Sequence, residues 1–385
     1  MCAAGGMIPM QNEAAPQKAL GEGEAKAYNA IKIRLTVSGI LINFLLLAVF
    51  AFTPISGMIV NYIEFYILNP YLQFLFFACA AGAVFTSIEL IIDFYGGYFI
   101  EHEFGLSTQT FRRWMIENIK SWIISLVIGI PMSLMFYFLI RTLGADWWWV
   151  FALVVFSVSV LLARVAPALI FPLFYRFTLI GEGEIRSRIC ALLDKEKIPF
   201  KEIYSFNMSK NTRKANAGFT GIGSSKRIIL SDTLLERFTP DEIEVIFAHE
   251  LGHFRGRHIL KNIALSGVII FSSFYICGLV YQKTLFALGF INLSDIAALP
   301  ALLLYLSVFS MLIMPATNAL SRLYERDADE YAIRSTGRAD AFISGMKKLG
   351  EVNLADTDPH PVIEFLFHGH PSISRRIMFA EKMKL

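Results

Sequence analysis

The sequence predicts a mainly α-helical, polytopic membrane protein, and three observations carry that prediction. Of its 385 residues, 55% are hydrophobic and only 17% charged, where globular domains run at about 25% charged. The apolar residues gather in long runs, and the mean hydropathy is +0.53. Six runs, near 35–55, 70–96, 121–141, 147–173, 262–282 and 296–318, reach the roughly 20 residues that cross about 30 Å of hydrocarbon. Disorder, collagen and coiled coil are excluded for the chain as a whole. A formal net charge of +3, from 35 basic and 32 acidic side chains with no block of one sign, offers no field to nucleic acid. The four cysteines are far apart and form no CxxC pair, so neither a disulfide framework nor a thiolate metal site is expected.

Taken in order, residues 1–34 are rich in Ala, Gly, Glu and Lys and read as a disordered leader. Residues 35–173 hold four spans. Glu89 and Asp93 sit in the last third of the second, at the interface, and Arg164 lies inside the fourth, facing either a bundle interior or a structural partner. Basic residues in the leader (Lys18, Lys26, Lys32, Arg34) and after the second span (Arg112, Arg113, Lys120) put both termini on the cytoplasmic side. The polar segments 174–261 and 319–385 fall on that same side, separated by two spans over 262–318. The first reads as a small α+β region. It has a helical pattern over 182–195 and strand-like runs at Ile203 to Phe206, Asn216 to Thr220 and Arg227 to Leu230, the last two flanking the hairpin material of 221–226. Thr239-Pro240-Asp241-Glu242 then opens a helix with a capping box.

That helix carries His249-Glu250-Leu251-Gly252-His253, an HExxH sequence. Residues four apart share a helix face, so both imidazoles can meet one ion while Glu250 reaches its water as a base. Zinc suits two imidazoles and one carboxylate and leaves a position for water, although the same ligands tolerate neighbouring divalent metals. A third histidine at HxxGxxH spacing is absent, because His258 arrives one residue too early. Charged flanks (Asp241, Glu242, Glu244, Arg255, Arg257) place the motif at or just outside the membrane surface. The remaining ligand is then a carboxylate from a helix after the sixth span. Glu325 is the best candidate, with Asp329 four residues on orienting a ligand histidine, and Asp327 or Glu330 as substitutes.

Several segments together resemble the type I CAAX prenyl endopeptidases, integral-membrane HExxH zinc metalloproteases. They are FIEHEFGLSTQTF at 99–111, IFPLFYRFTLI at 170–180, KANAGFTGIGSSKRIILSDTLL at 214–235, the HELGH itself, ERDAD at 325–329 and GHPSISRRI at 369–377. The resemblance spans most of 75–380 and implies one zinc ion per chain and removal of the last three residues from prenylated proteins. It implies that Asn216, Ala217 and Gly218 form the edge strand to which substrate adds, that His370 stabilises the oxyanion, and that Arg376 holds the site together through carboxylate pairing. His102, His258, His360 and His368 match nothing catalytic and are expected to be surface or structural.

Gly218 stands where the family usually has an aromatic residue and Ser231 where it often has Phe, which opens the question of substrate more than of reaction. The expected partners are a prenylated or apolar peptide or protein and membrane lipid, with no nucleic acid. The oligomeric state has no signal in the sequence. The expected location is a bacterial inner membrane, or the endoplasmic reticulum in a eukaryote, with the site facing the cytoplasm. Competing readings are a membrane-protein quality-control zinc protease, a transporter or channel, and a zinc-stabilised scaffold without catalysis.

Overall fold

Helices make up most of the computed structural model, which describes residues 21–197, 202–220 and 227–384. The first, α1, runs Glu22–Phe52 and corrects the expected leader, whose residues 22–34 are helical, while 1–20 lie outside the described residues. The Ala, Glu and Lys content that reads as disorder is equally good helix composition. Packing decides between the two: Tyr28 is buried, and its hydroxyl donates to Glu101 at 2.6 Å. The 12-residue α2 (Ile55–Tyr66) follows, then α3 (Pro70–Asp93), opened by Asn69 accepting from the amides of Tyr71 and Leu72 with Pro70 in the first turn. A π-helical turn at Phe94–Phe99 leads into α4 (Ile100–Glu103).

By length and apolarity, five continuous helical stretches can cross a membrane: Glu22–Phe52, Pro70–Glu103, Phe111–Leu169, His258–Thr284 and Ile296–Thr336. The third is two helices, α5 (Phe111–Leu143) and α6 (Trp147–Leu169), because the chain turns at Gly144, whose φ of 55° belongs to the region that favours glycine. The six apolar runs therefore fall on α1, α3, α5, α6 and the two later helices introduced below. These helices bury Phe50, Phe74, Tyr137, Trp147 and Tyr281 against one another. They expose Leu41, Leu45, Leu126, Leu161, Val268 and Leu312 on the outside, an apolar surface that suits lipid. Arg164 is exposed on α6.

The soluble part starts with α7 (Phe171–Phe174), β1 (Phe177–Leu179), α8 (Glu184–Lys195) and β2 (Ile203–Phe206), followed by β3 (Ala217–Thr220) and β4 (Arg227–Ser231). The sheet order is β1-β2-β4-β3. Only the β2 and β4 pair is parallel, and β3 is an edge paired antiparallel to β4, Gly218 opposite Ile229. The three-residue β1 had no signal in the sequence. After α9 (Asp232–Arg237) comes α10 (Pro240–Arg255), with the capping box complete: Thr239 accepts from the Glu242 amide and Glu242 accepts from the Thr239 amide. Next are α11 (His258–Thr284) and α12 (Leu299–Thr336), then α13 (Ala339–Asn353), α14 (Pro361–Phe367) and α15 (Ile373–Met383). One apolar core joins α8, the sheet, α10, α12, α13 and α15 through residues such as Ile189, Leu230, Phe247, Ala332, Phe342 and Ala380.

Two features of this arrangement position the site. At 38 residues, α12 is about 57 Å long, so it crosses a 30 Å hydrocarbon core and projects well beyond it. The sixth span and the helix carrying Glu325 are thus one continuous helix, with Pro315 inside it. Against it lies α10, and their approach is close at Gly252, where a Cβ would meet Ala328 Cα at 2.9 Å and Ala328 O at 3.1 Å. Glycine is required there because backbone, which cannot swing aside, faces it.

Gly252→Ala is expected to push α10 from α12, costing about 1–3 kcal/mol of stability and loosening metal retention. Thermal unfolding in detergent and a chelator titration check it; an alanine variant with unchanged Tm and metal retention would contradict the close packing. Glu242 supplies a pH test. Burial raises its carboxyl, but the Thr239 amide, the Ser344 hydroxyl and Lys348 outweigh that and hold it below the usual carboxylate range. A lowered folded-state pKa gives stability that is present above the unfolded value of about 4.3 and lost as pH falls through the folded one. Glu242→Gln should therefore be less stable than wild type by about 1 kcal/mol at pH 7, with the gap closing on acidification below about pH 4. A gap in Tm that ignores pH would refute the assignment.

Candidate metal centre

The helical spacing of the HExxH sequence sets His249 and His253 on the face of α10 that meets α12. Their Nε2 atoms are 3.1 Å apart. From α12, Glu325 brings Oε2 to 3.3 Å from His249 Nε2 and Oε1 to 3.2 Å from His253 Nε2. Among the described residues, these form the group of histidine and carboxylate ligands able to hold a metal, with ligand atoms all within 4.8 Å of one another.

The side chains fit a cation. A tetrahedral ion with bonds of about 2.0–2.1 Å sets its ligand atoms about 3.3 Å apart, close to all three separations. His249 Nδ1 is engaged by Asp329 Oδ1 at 2.8 Å and His253 Nδ1 by His258 Nδ1 at 2.9 Å, which leaves both Nε2 lone pairs for the centre. Glu325 Oε2 is buried without a hydrogen bond, although His370 Nδ1 stands 2.8 Å away. Burial pulls the His249 imidazole down, but Asp329 and then Glu325 outweigh it and raise its pKa to about 9. The cluster is therefore a place for positive charge.

Behind the ligands stands Asp329, 1% exposed. It accepts from His249 on one side, and Arg376 of α15 grips it with two bonds, Nη2 to Oδ1 at 2.5 Å and Nε to Oδ2 at 2.8 Å. Burial lowers the Arg376 guanidinium, yet the Asp329 charge more than restores it. Two-point pairing of this kind fixes orientation as well as charge. Ser372 starts α15 by accepting from the Arg375 amide, which sets the angle at which Arg376 enters.

Each residue singled out by sequence has a defined place. Glu250 is half-buried on α10 and, among the described residues, forms no hydrogen bond or ion pair. His370 lies in the loop before α15, with a side chain 68% exposed, over Glu325. Asp327 and Glu330, the substitutes for Glu325, are not in the ligand group. Ala217 and Gly218 lie on β3, the outer strand of the sheet, with Asn216 just before it. Ser231 on β4 tethers Asn216: its amide donates to Asn216 O at 2.9 Å, and its hydroxyl accepts from the Asn216 amide at 3.0 Å. Since hydrogen-bonded pairs alternate along an antiparallel ladder, the Ala217 main chain faces the free edge, and its amide donates to the Asn216 side-chain oxygen at 2.9 Å. A Cβ added at Gly218 would meet nothing within 4 Å.

His258, expected to be surface or structural, has a structural place. It is 3% exposed, stacks on Tyr324 with ring centroids 4.3 Å apart, and meets His253 Nδ1 with its own Nδ1 at 2.9 Å. Its spacing in HExxHxxxxH fails for a third ligand and says nothing of Tyr324, which lies on another helix. His102 does hold structure, its two ring nitrogens meeting the carbonyls of Tyr98 and Gln109 at 2.6 and 2.7 Å. His360 caps α14.

Residues 180–384 match the model of peptidase family M48, and residues 22–176 match the CAAX prenyl protease N-terminal region, described as five membrane helices. Over that stretch the structure has four helices of spanning length and the shorter α2. The chain is 34% identical to the Bacillus subtilis protein described as uncharacterized metalloprotease YhfN, over 93% of this chain and 85% of that one. It is 27% identical to CAAX prenyl protease 1 of Saccharomyces cerevisiae, over 82% of this chain and 73% of that one. The crystal structure of Ste24p from S. mikatae superposes with a TM-score of 0.82 at 23% identity, covering 97% of this chain and 92% of that one, and so shares the fold. With its HExxH helix, buried carboxylates and membrane helices so matched, the chain belongs to peptidase family M48 and is a multi-pass membrane metalloprotease.

Proposed function

We propose that the chain is a zinc endopeptidase that removes the C-terminal tripeptide from prenylated CAAX proteins or peptides, with one zinc per chain and its site on the cytoplasmic face of a bacterial inner membrane. The observation that carries this reading is the convergence of His249, His253 and Glu325 behind a sheet edge that is free to take a peptide. Similarity to proteins named CAAX prenyl protease supports the substrate class. So does a cavity of about 710 Å³ among the spanning helices α1, α11 and α12, lined by Phe44, Leu47, Ile269, Leu306, Phe309 and Met314, apolar enough for a prenyl chain.

His249, His253 and Glu325 would hold the zinc, which when bound would supply Lewis-acid polarisation of a peptide carbonyl and of water. Glu250 takes the proton from the attacking water and passes it to the departing amine. His370, exposed above Glu325, donates to the oxyanion as it forms. Asp329 accepts the His249 Nδ1 proton and thereby fixes the tautomer that offers Nε2 to the centre, and Arg376 keeps that buried carboxylate charged. The β3 edge binds substrate through main-chain hydrogen bonds and so demands little of its sequence. A second reading, broader cleavage of membrane proteins for quality control, draws on Gly218, where the edge is open instead of walled by an aromatic side chain.

A detergent-solubilised assay with a farnesylated CAAX peptide and its unprenylated twin tests both. Wild type is expected to release the tripeptide with preference for the prenylated form, and Glu250→Gln at matched zinc content to lose on the order of 10²–10⁴-fold in rate, as for removal of a general base. Equal cleavage of the twins would favour the second reading, and full activity of Glu250→Gln would overturn the base.

A further inference from the structure

At the entrance to β3 lies a pocket whose lining includes none of His249, His253 and Glu325. Its volume is about 480 Å³, and it is lined by Tyr28 and Lys32 of α1, by Lys214 and Asn216 in the segment leading into β3, and by Asn353 at the end of α13. Lys214 Nζ stands 2.9 Å from the Tyr28 hydroxyl and 2.9 Å from Glu101 Oε2, and Lys32 Nζ stands 3.1 Å from Glu101 Oε1. Two ammonium groups thus share one carboxylate, and the cluster keeps a net positive charge. Neither lysine is sealed away, their side chains being 28% and 36% exposed. Each ammonium carries three donors; besides Glu101, Lys214 uses one on the Tyr28 hydroxyl and Lys32 one on the Gly96 carbonyl at 3.0 Å.

The pocket is lined by Ala215 and Asn216, the two residues before β3, and the Asn353 side chain holds the Ala215 amide and carbonyl at 2.9 and 3.4 Å, so ladder pairing along the edge ends at Ala217. A peptide that adds antiparallel to β3 runs its C-terminal end back past Ala217 toward Asn216, Ala215 and Lys214, whereas a parallel one would run the other way, toward Thr220. At about 3.3 Å per residue, three residues of extended peptide cover about 10 Å, the length of chain from Ala217 back to Lys214.

We propose that this pocket binds the free C-terminal carboxylate of the substrate, with Lys214 as its direct counter-ion and Lys32 supporting the field. The inference rests on the peptidase reading above and deepens it. Binding the terminus at Lys214 while the scissile bond lies beside Ala217 fixes the antiparallel direction and makes the excised piece three residues long. Glu101 and Tyr28 serve as positioning residues that hold the lysine in register. The recognised chemistry is a terminal carboxylate at a set distance from the scissile bond, whatever side chain precedes it.

The experiment measures binding of a farnesylated CAAX peptide as free acid and as C-terminal carboxamide to zinc-loaded Glu250→Gln protein, which holds substrate without turnover. The acid is expected to bind about tenfold more tightly, the size of one charge-assisted hydrogen bond. The ratio should fall to about one when Lys214→Met is added and recover with Lys214→Arg. Because each ratio is taken within one protein, a general loosening of α1 by the substitution cancels. Equal binding of acid and amide, binding of neither, or a ratio indifferent to Lys214→Met would overturn the pocket. A preserved ratio in a wild type that cleaves nothing would instead sink the peptidase reading and leave the carboxylate site standing.

Discussion

Three helices meet on the buried carboxylate of Asp329. It accepts from His249 on α10, belongs itself to α12, and takes both arms of Arg376 from α15. A charge 1% exposed is stable only while it is paired, and removing one partner of such a group typically costs about 3–5 kcal/mol. The same contact that satisfies Asp329 sets the ring of His249, and the i, i+4 spacing along α12 then fixes where Glu325 arrives. The metal centre is therefore a consequence of how three helices dispose of one charge.

The arrangement also explains why membrane and soluble parts act as one unit. α12 is continuous from the apolar core around Ala301 and Leu302 to the candidate ligand Glu325 and on to Ala332 in the soluble core. Gly252 lets α10 lie on that helix at backbone contact. His258 fills the remaining gap, touching His253 with its nitrogen and Tyr324, the neighbour of Glu325, with its ring face. A shift of α12 among the spanning helices would be passed to Glu325 along one helix, with Pro315 as the one interior proline between them.

Much of this was legible in the residues. The HExxH helix announces itself by its capping box and spacing, and the carboxylate pair four apart after an apolar span is readable as one helix face because helical periodicity is local; the structure sets that face beside the two histidines. The apolar runs map onto the six long helices for the same reason. What was not legible depended on partners distant in sequence. Residues 22–34 have a composition that fits helix and disorder equally, and only the burial of Tyr28 beside Glu101 decides it. For His258 the spacing excludes a third ligand but cannot choose between surface and core, because that depends on Tyr324 on another helix. Gly252 looks like a small residue in a motif until Ala328 is placed against it. The edge position of β3 came through family resemblance, as a four-residue strand says nothing about which of its sides is paired.

Zinc K-edge X-ray absorption on the purified protein tests the central claim, that α10 and α12 together build one site from two imidazoles and one carboxylate. The account predicts two nitrogen scatterers of imidazole type and one or two oxygens at about 2.0–2.2 Å with no sulfur, and loss of the imidazole signal when His249 and His253 are replaced. Sulfur in the first coordination shell, or a single imidazole, would contradict it.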